Sequence, residues 1–192
     1  MKNTAPRKVV LIFLALTIVI SVLSSCSPER KKAEVPDKVQ VKDAYRQAME
    51  AYGWFDMTTM PVDYSVSKEY NGTKYYRVEH NDIETYADLK LHLQELFSDD
   101  IVLELLGQAK EFQRYTDIDG VLYAVQADRG ADITKGEETH QIIYEANDRI
   151  IYRVEVEIID FETMEVVDRE TYDFTYENLN GKWVFSNFCM VR

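Results

Sequence analysis

The feature that most constrains this chain is the period-two alternation in its C-terminal third. Val154-Glu155-Val156-Glu157-Ile158 and Tyr172-Asp173-Phe174-Thr175-Tyr176 put apolar and polar side chains on opposite faces of extended backbone. Such a pattern demands a sheet with one buried face and one wet, acidic face, and it excludes an all-helical fold. Strands are expected over roughly 139–145, 150–159, 166–177 and 182–190, the last pair joined by a turn at Asn180-Gly181.

Upstream the period changes. Val41, Ala44, Tyr45, Ala48, Met49 and Tyr52 recur at three and four residues, which predicts a helix over 39–52 ended by Gly53. The following residues, 54–61, form a loop rich in large apolar groups that either plugs the core or lines a groove. Asn71-Gly72 supplies the two positive-φ positions of a type I′ turn inside a hairpin over 64–79. A second helix is expected over 85–97, burying Tyr86, Leu89, Leu93 and Leu96. Ser98 then caps a shorter helix over 99–106, with Asp99 and Asp100 in its first turn and Gly107 at its end. Strands over 112–116 and 121–126 flank Asp119-Gly120, and 128–138 reads as a polar loop. Helices segregated from a strand meander predict an α+β fold. A curved antiparallel sheet packed on helices, of cystatin-like or nuclear-transport-factor-like type, fits this order.

The N-terminus adds an address. Lys2, Arg7 and Lys8 precede an apolar run over 9–23, too short for a comfortable membrane span and suited to an export signal. The run stops at Leu23-Ser24-Ser25-Cys26, which resembles the bacterial lipobox: an aliphatic residue, two small ones, then a cysteine whose thiol takes the lipid. The reading is a signal peptide over 1–25, a lipidated Cys26 with a flexible tether over 26–36, and a single domain over 37–192. It predicts an extracytoplasmic protein anchored to the cell membrane by lipid. The full chain carries a formal net charge of −12; the signal takes three basic residues and no acid with it, which leaves about −15. That balance repels nucleic acid and anionic membrane, and favours either a cationic partner or simply solubility. With Cys26 committed to lipid, Cys189 has no disulfide partner and is expected as a buried core thiol. A monomer is expected.

Catalytic and metal signatures are sparse. His80, His92 and His140 have no neighbours at metal-ligand spacing, and His92 is expected on the solvent face of its helix. Asp117-Ile118-Asp119-Gly120 looks like a fragment of a calcium loop, but the further acidic ligands are missing and a hairpin turn explains it. Nucleophile elbows and phosphate-binding glycine loops are absent, and Cys189 lies between Phe188 and Met190 rather than in an electropositive setting. Neither a cofactor, a metal nor enzymatic activity is expected. Glu155 and Glu157 are read as a solvated strand face. Of the thirteen tyrosines most are expected in the core and a minority around a pocket.

Several short pieces fall in an order similar to the IseA family of secreted proteins. They are Tyr75-Tyr76-Arg77-Val78, Ile83-Glu84-Thr85, Leu96-Phe97-Ser98, Asp119-Gly120-Val121-Leu122-Tyr123, Asp128-Arg129-Gly130 and Gly181-Lys182-Trp183-Val184-Phe185. The resemblance covers roughly residues 37–192. It implies stoichiometric inhibition of cell-wall DL-endopeptidases, cysteine peptidases of the NlpC/P60 type, by an acidic surface that occludes their active-site cleft. On that reading the contacts come from 54–61 and 128–138, with Asp56, Asp128, Asp132, Glu137 and Glu138 as an acidic rim and Arg129 beside Gly130 matching the family pattern. The lipobox departs from the freely secreted members and would hold this copy near the membrane. The alternative is a lipoprotein that binds a small ligand or wall fragment in a pocket of a nuclear-transport-factor-like fold.

Overall fold

Asp37 starts the first helix, α1 (Lys38–Asp56), by a capping box: its carboxylate accepts the Val39 and Gln40 amides at 2.8 and 2.9 Å while the Gln40 side chain accepts the Asp37 amide at 2.8 Å. The computed structural model describes residues 34–107 and 113–192. The export signal, Cys26 and most of the tether lie outside the described residues. Two further helices, α2 (Tyr86–Leu96) and α3 (Asp99–Leu106), and eight strands complete an α+β architecture among the described residues. None of these helices is long and apolar enough to cross a membrane.

The α1 helix runs one turn past Gly53, where the sequence pattern placed its end. The Gly53 carbonyl takes the amides of Met57 and Thr58 at 2.8 and 3.1 Å. Burial of Ala51 and Trp54 continues the apolar stripe and outweighs the low helix propensity of glycine. The segment after it plugs the core. Met60 is buried, and its amide donates to the Tyr115 hydroxyl at 2.8 Å, which itself donates to the Trp54 carbonyl at 3.1 Å.

The strands divide between two four-stranded antiparallel sheets instead of one. The first has the order β1 (Val62–Tyr70), β2 (Thr73–Val78), β4 (Val121–Ala124), β3 (Tyr115–Ile118). Asn71 and Gly72 adopt φ 51° and 76° at its hairpin, and Asp119 and Gly120 adopt 58° and 78° at the β3–β4 turn. The second is a simple meander of β5 (Lys135–Ala146), β6 (Arg149–Ile159), β7 (Val166–Leu179) and β8 (Lys182–Phe185). The polar loop before it is shorter than the composition suggested. Pairing of Lys135 with Ile158 and of Glu138 with Val156 draws residues 135–138 into β5. Conversely β8 stops at Phe185, because the chain turns back there and Phe188 packs among Tyr52, Phe97, Phe174 and Phe185 at ring separations of 4.7–5.5 Å.

One core joins the layers. Val41, Tyr45 and Ala48 of α1 and Leu89 and Leu93 of α2 meet Tyr152, Val154, Val156, Phe174 and Tyr176 of the second sheet. Each fully buried side chain of this kind contributes about 1.5–3 kcal/mol. Thr85 and Asp88 form a capping box for α2. Ser98 occupies the N-cap position of α3 without making the expected side-chain bond; its amide instead bonds the Phe185 carbonyl at 2.9 Å, next to a bridge between Phe97 and Phe185. Cys189, expected in the core, is exposed. The described chain begins pinned to the second sheet: Trp183 Nε1 donates to the Glu34 carbonyl at 3.0 Å and the Tyr144 hydroxyl to that of Pro36 at 3.1 Å.

Candidate functional site

The β4–β5 connection and the end of α1 meet at one end of the second sheet. Thr59 donates to the Ala127 carbonyl at 3.1 Å, Arg129 to that of Met57 at 3.0 Å, and Thr58 bridges Asp128. This pairing brings Asp56 and Arg129, 73 residues apart, into an ion pair, with Arg129 Nε 3.2 Å from the Asp56 carboxylate. Arg129 also donates to the main-chain oxygen of Arg192 at 3.2 Å. The Arg192 guanidinium in turn reaches Glu138 at 2.5 Å and the Gly136 carbonyl at 2.7 Å.

Two of the expected rim acids, Asp56 and Glu138, are therefore engaged by arginines of the same chain. Asp128 turns inward to its own loop, accepting the Gly130 amide at 2.8 Å where Gly130 adopts φ 71°. Asp132 accepts the Thr134 amide and hydroxyl at 3.0 and 2.7 Å, and these bonds hold its pKa below the usual carboxylate value. Glu137 is exposed on β5. Arg192 carried no signal in the sequence, because its partners lie more than fifty residues away.

The same end carries a feature that the periodicity did not single out. Ile159 donates to the Thr134 carbonyl at 2.8 Å, so the loop bearing Asp132 abuts the base of the β6–β7 hairpin. That hairpin projects beyond the core. Phe161, Met164 and Val167 are each more than 60% exposed and Val166 is 49% exposed, as is Ile133 of the adjoining loop at 63%. The turn is held by Asp160, whose carboxylate accepts the Glu162 and Thr163 amides, both at 2.9 Å, and lies below its ordinary pKa for that reason. Met164 closes the turn at φ 59°. A methionine in the left-handed region costs about 1–2 kcal/mol that glycine or asparagine would largely avoid. Exposed and strained, it lowers the stability of the hairpin while adding apolar surface to its tip. Asp160, Glu162, Glu165 and Asp168 surround these side chains and make no ion pair among the described residues, whereas Glu155 and Glu157, read as a free solvated face, both bind Arg169 at 3.3 and 3.1 Å. The missed signal was the turn itself, Phe161-Glu162-Thr163-Met164, which lacks the glycine or asparagine of the other hairpins.

The histidines also sit differently from expectation. His92 is half-buried, not solvent-facing: its ring lies 5.4 Å from Trp54, which contacts His80 on another side at 5.8 Å. Desolvation and then repulsion from His80 lower the His92 pKa. Desolvation by neighbouring groups and the Asp56 carboxylate push the Cys189 thiol up, away from a nucleophilic thiolate. The chain matches no known family model and no curated protein sequence.

Proposed function

We propose that this protein is a docking domain, held outside the cell by lipid on Cys26, which inhibits NlpC/P60-type cell-wall endopeptidases by occluding their active-site cleft. The observation that carries this reading is the β6–β7 tip, where solvent-exposed Phe161, Met164, Val166 and Val167 stand among four unpaired carboxylates next to the Asp128–Asp132 loop. Apolar side chains exposed at the cost of backbone strain mark a contact surface. The carboxylates suit a target with a basic rim and would steer its approach. The acidic contact is carried by Asp132, Glu137 and the hairpin acids rather than by Asp56 and Glu138, which the protein's own arginines neutralise. The resemblance to the IseA family supplies the target class, and a helix laid on a four-stranded meander suits the cystatin-like or nuclear-transport-factor-like assignment. On this reading the protein acts as a monomer.

The test is a titration of soluble protein from Ser27 onward into an NlpC/P60 peptidase of the same cell, at low and high salt. Inhibition near one-to-one, weaker in high salt and reduced about thirtyfold or more by Phe161→Ser with Met164→Ser, is expected. Full activity of every peptidase at saturating protein would sink the reading.

A further inference from the structure

Beside the Arg192–Glu138 pair, α1 and the β5 edge of the second sheet leave a cavity of about 350 Å³ between them. Lys42, Tyr45, Arg46 and Met49 fall at helical spacing on one stripe of α1 and face it. Opposite them, Glu138 and His140 occupy alternate positions of β5, with Tyr152 on β6 beside them.

The walls of this cavity are aromatic and flat. The Tyr45 and Tyr152 rings stack at 4.1 Å and 15°, and His140 packs on both at 5.9 and 5.7 Å. The floor is polar: the Tyr152 hydroxyl hydrogen-bonds His140 Nδ1 at 3.3 Å, Glu138 lies 3.5 Å from His140 Nε2 without a hydrogen bond, and Arg192 binds Glu138. One polar group is left over. The hydroxyl of Tyr45, a residue only 6% exposed, is buried with no hydrogen-bond partner. Burial and the nearby Glu138 carboxylate raise its pKa, so it stays a neutral donor. An unsatisfied buried hydroxyl is rare in folded proteins and calls for a reason.

The mouth of the cavity is cationic in an otherwise acidic protein. Lys42 and Arg46 are exposed on α1, Arg46 making one 3.5 Å solvent-exposed contact to Asp43. Glu138, the acid inside, is already compensated by Arg192.

We propose that this cavity is a binding site for a small anion with a flat aromatic body, the ring lying against Tyr45, Tyr152 and Met49 and the anionic group at Lys42 and Arg46. The site shares no side chain with the hairpin tip and stands whether or not the tip blocks a peptidase. Its volume lies at the lower end of the range for small-molecule pockets.

The probe is 1-anilinonaphthalene-8-sulfonate, titrated calorimetrically into the chain from Ser27 onward, which contains the whole compact unit Ala33–Arg192. Saturable one-to-one binding is expected. Lys42→Glu with Arg46→Glu, two exposed positions that leave the fold intact, weakens it about tenfold or more, and Met49→Trp, which fills the cavity, weakens it as much. N-phenyl-1-naphthylamine, the same aromatic body without the sulfonate, binds at least about fivefold more weakly. Phe161→Ser with Met164→Ser leaves the affinity unchanged. The proposal is overturned by absence of saturable binding up to about 1 mM probe, by equal affinity for the neutral analogue, or by binding that follows the tip substitutions and ignores the charge reversal.

Discussion

The two halves of β7 obey different rules. From Phe174 to Tyr176 the strand alternates buried and partly exposed side chains, and its turn into β8 is Asn180-Gly181 at φ 58° and 94°, residues that accept those angles at little cost. From Val166 to Thr171 every residue is exposed, apolar and polar alike, and the turn that precedes them puts Met164 at φ 59°. Of the four non-glycine residues at positive φ among the described residues, the other three are Asn71, Asp119 and Asn180. The packed half is arranged for stability and the projecting half gives stability up. Within one strand, the burial of the side chains decides which residues the backbone can accommodate.

The comparison is sharpest in a pair of truncations. Phe174→Ala should cost about 3–5 kcal/mol of unfolding free energy, by loss of transfer energy and the cavity left among Tyr45, Tyr172 and Phe188. Val167→Ala, seven residues earlier on the same strand, should stay within about 0.5 kcal/mol. Equal costs in urea denaturation would remove the distinction. Next in size, Met164→Asn should raise stability by about 1 kcal/mol by accepting the left-handed backbone, while weakening the peptidase contact. A variant that gains stability and keeps full inhibition would show that Met164 plays no part at the interface.

The smallest effect separates the two regions by pH. On α2, in the helical layer over the core, the folded His92 pKa lies below its unfolded value, so the unfolded chain binds more protons as pH falls. Stability is whole above about pH 6.5 and declines as pH drops through the lowered folded value. Asp160 at the tip has a depressed carboxyl, whose contribution is present above about pH 3.9 and is lost only as pH falls below that. Between pH 7.5 and 5 the slope of stability should therefore flatten in His92→Gln and stay as in the wild type in Asp160→Asn. The reverse pattern would mean that the wrong group has been assigned to the wrong region.

Local chemistry made much of the fold readable. Asn71-Gly72, Asp119-Gly120 and Asn180-Gly181 each specify a turn by what their backbones tolerate, and the alternation of β6 and β7 named Val154, Val156, Phe174 and Tyr176 as core. What was hidden depends on distance along the chain. No spacing rule relates Asp56 to Arg129 or Glu138 to Arg192, and so acids read as an open rim proved to be paired. Gly53 misled because Trp54 buries its ring one residue later, a gain larger than the propensity of a glycine. The division into two sheets was equally invisible, since alternation reports which face of a strand is wet but not which strand lies beside it.

The bonds from Trp183 to Glu34 and from Tyr144 to Pro36 have a geometric consequence. They fasten the start of the described chain at the Arg149 end of β6, whereas the apolar tip lies past Ile159 at the other end. Eleven strand residues at ~3.3 Å each set the two about 35 Å apart. The second sheet thus acts as a spacer: on the proposed reading, a partner gripped by Phe161 and Met164 stands about 35 Å from residues 34–36, and shortening β6 and β7 together would bring the two closer by about 7 Å for each pair of residues removed from each strand.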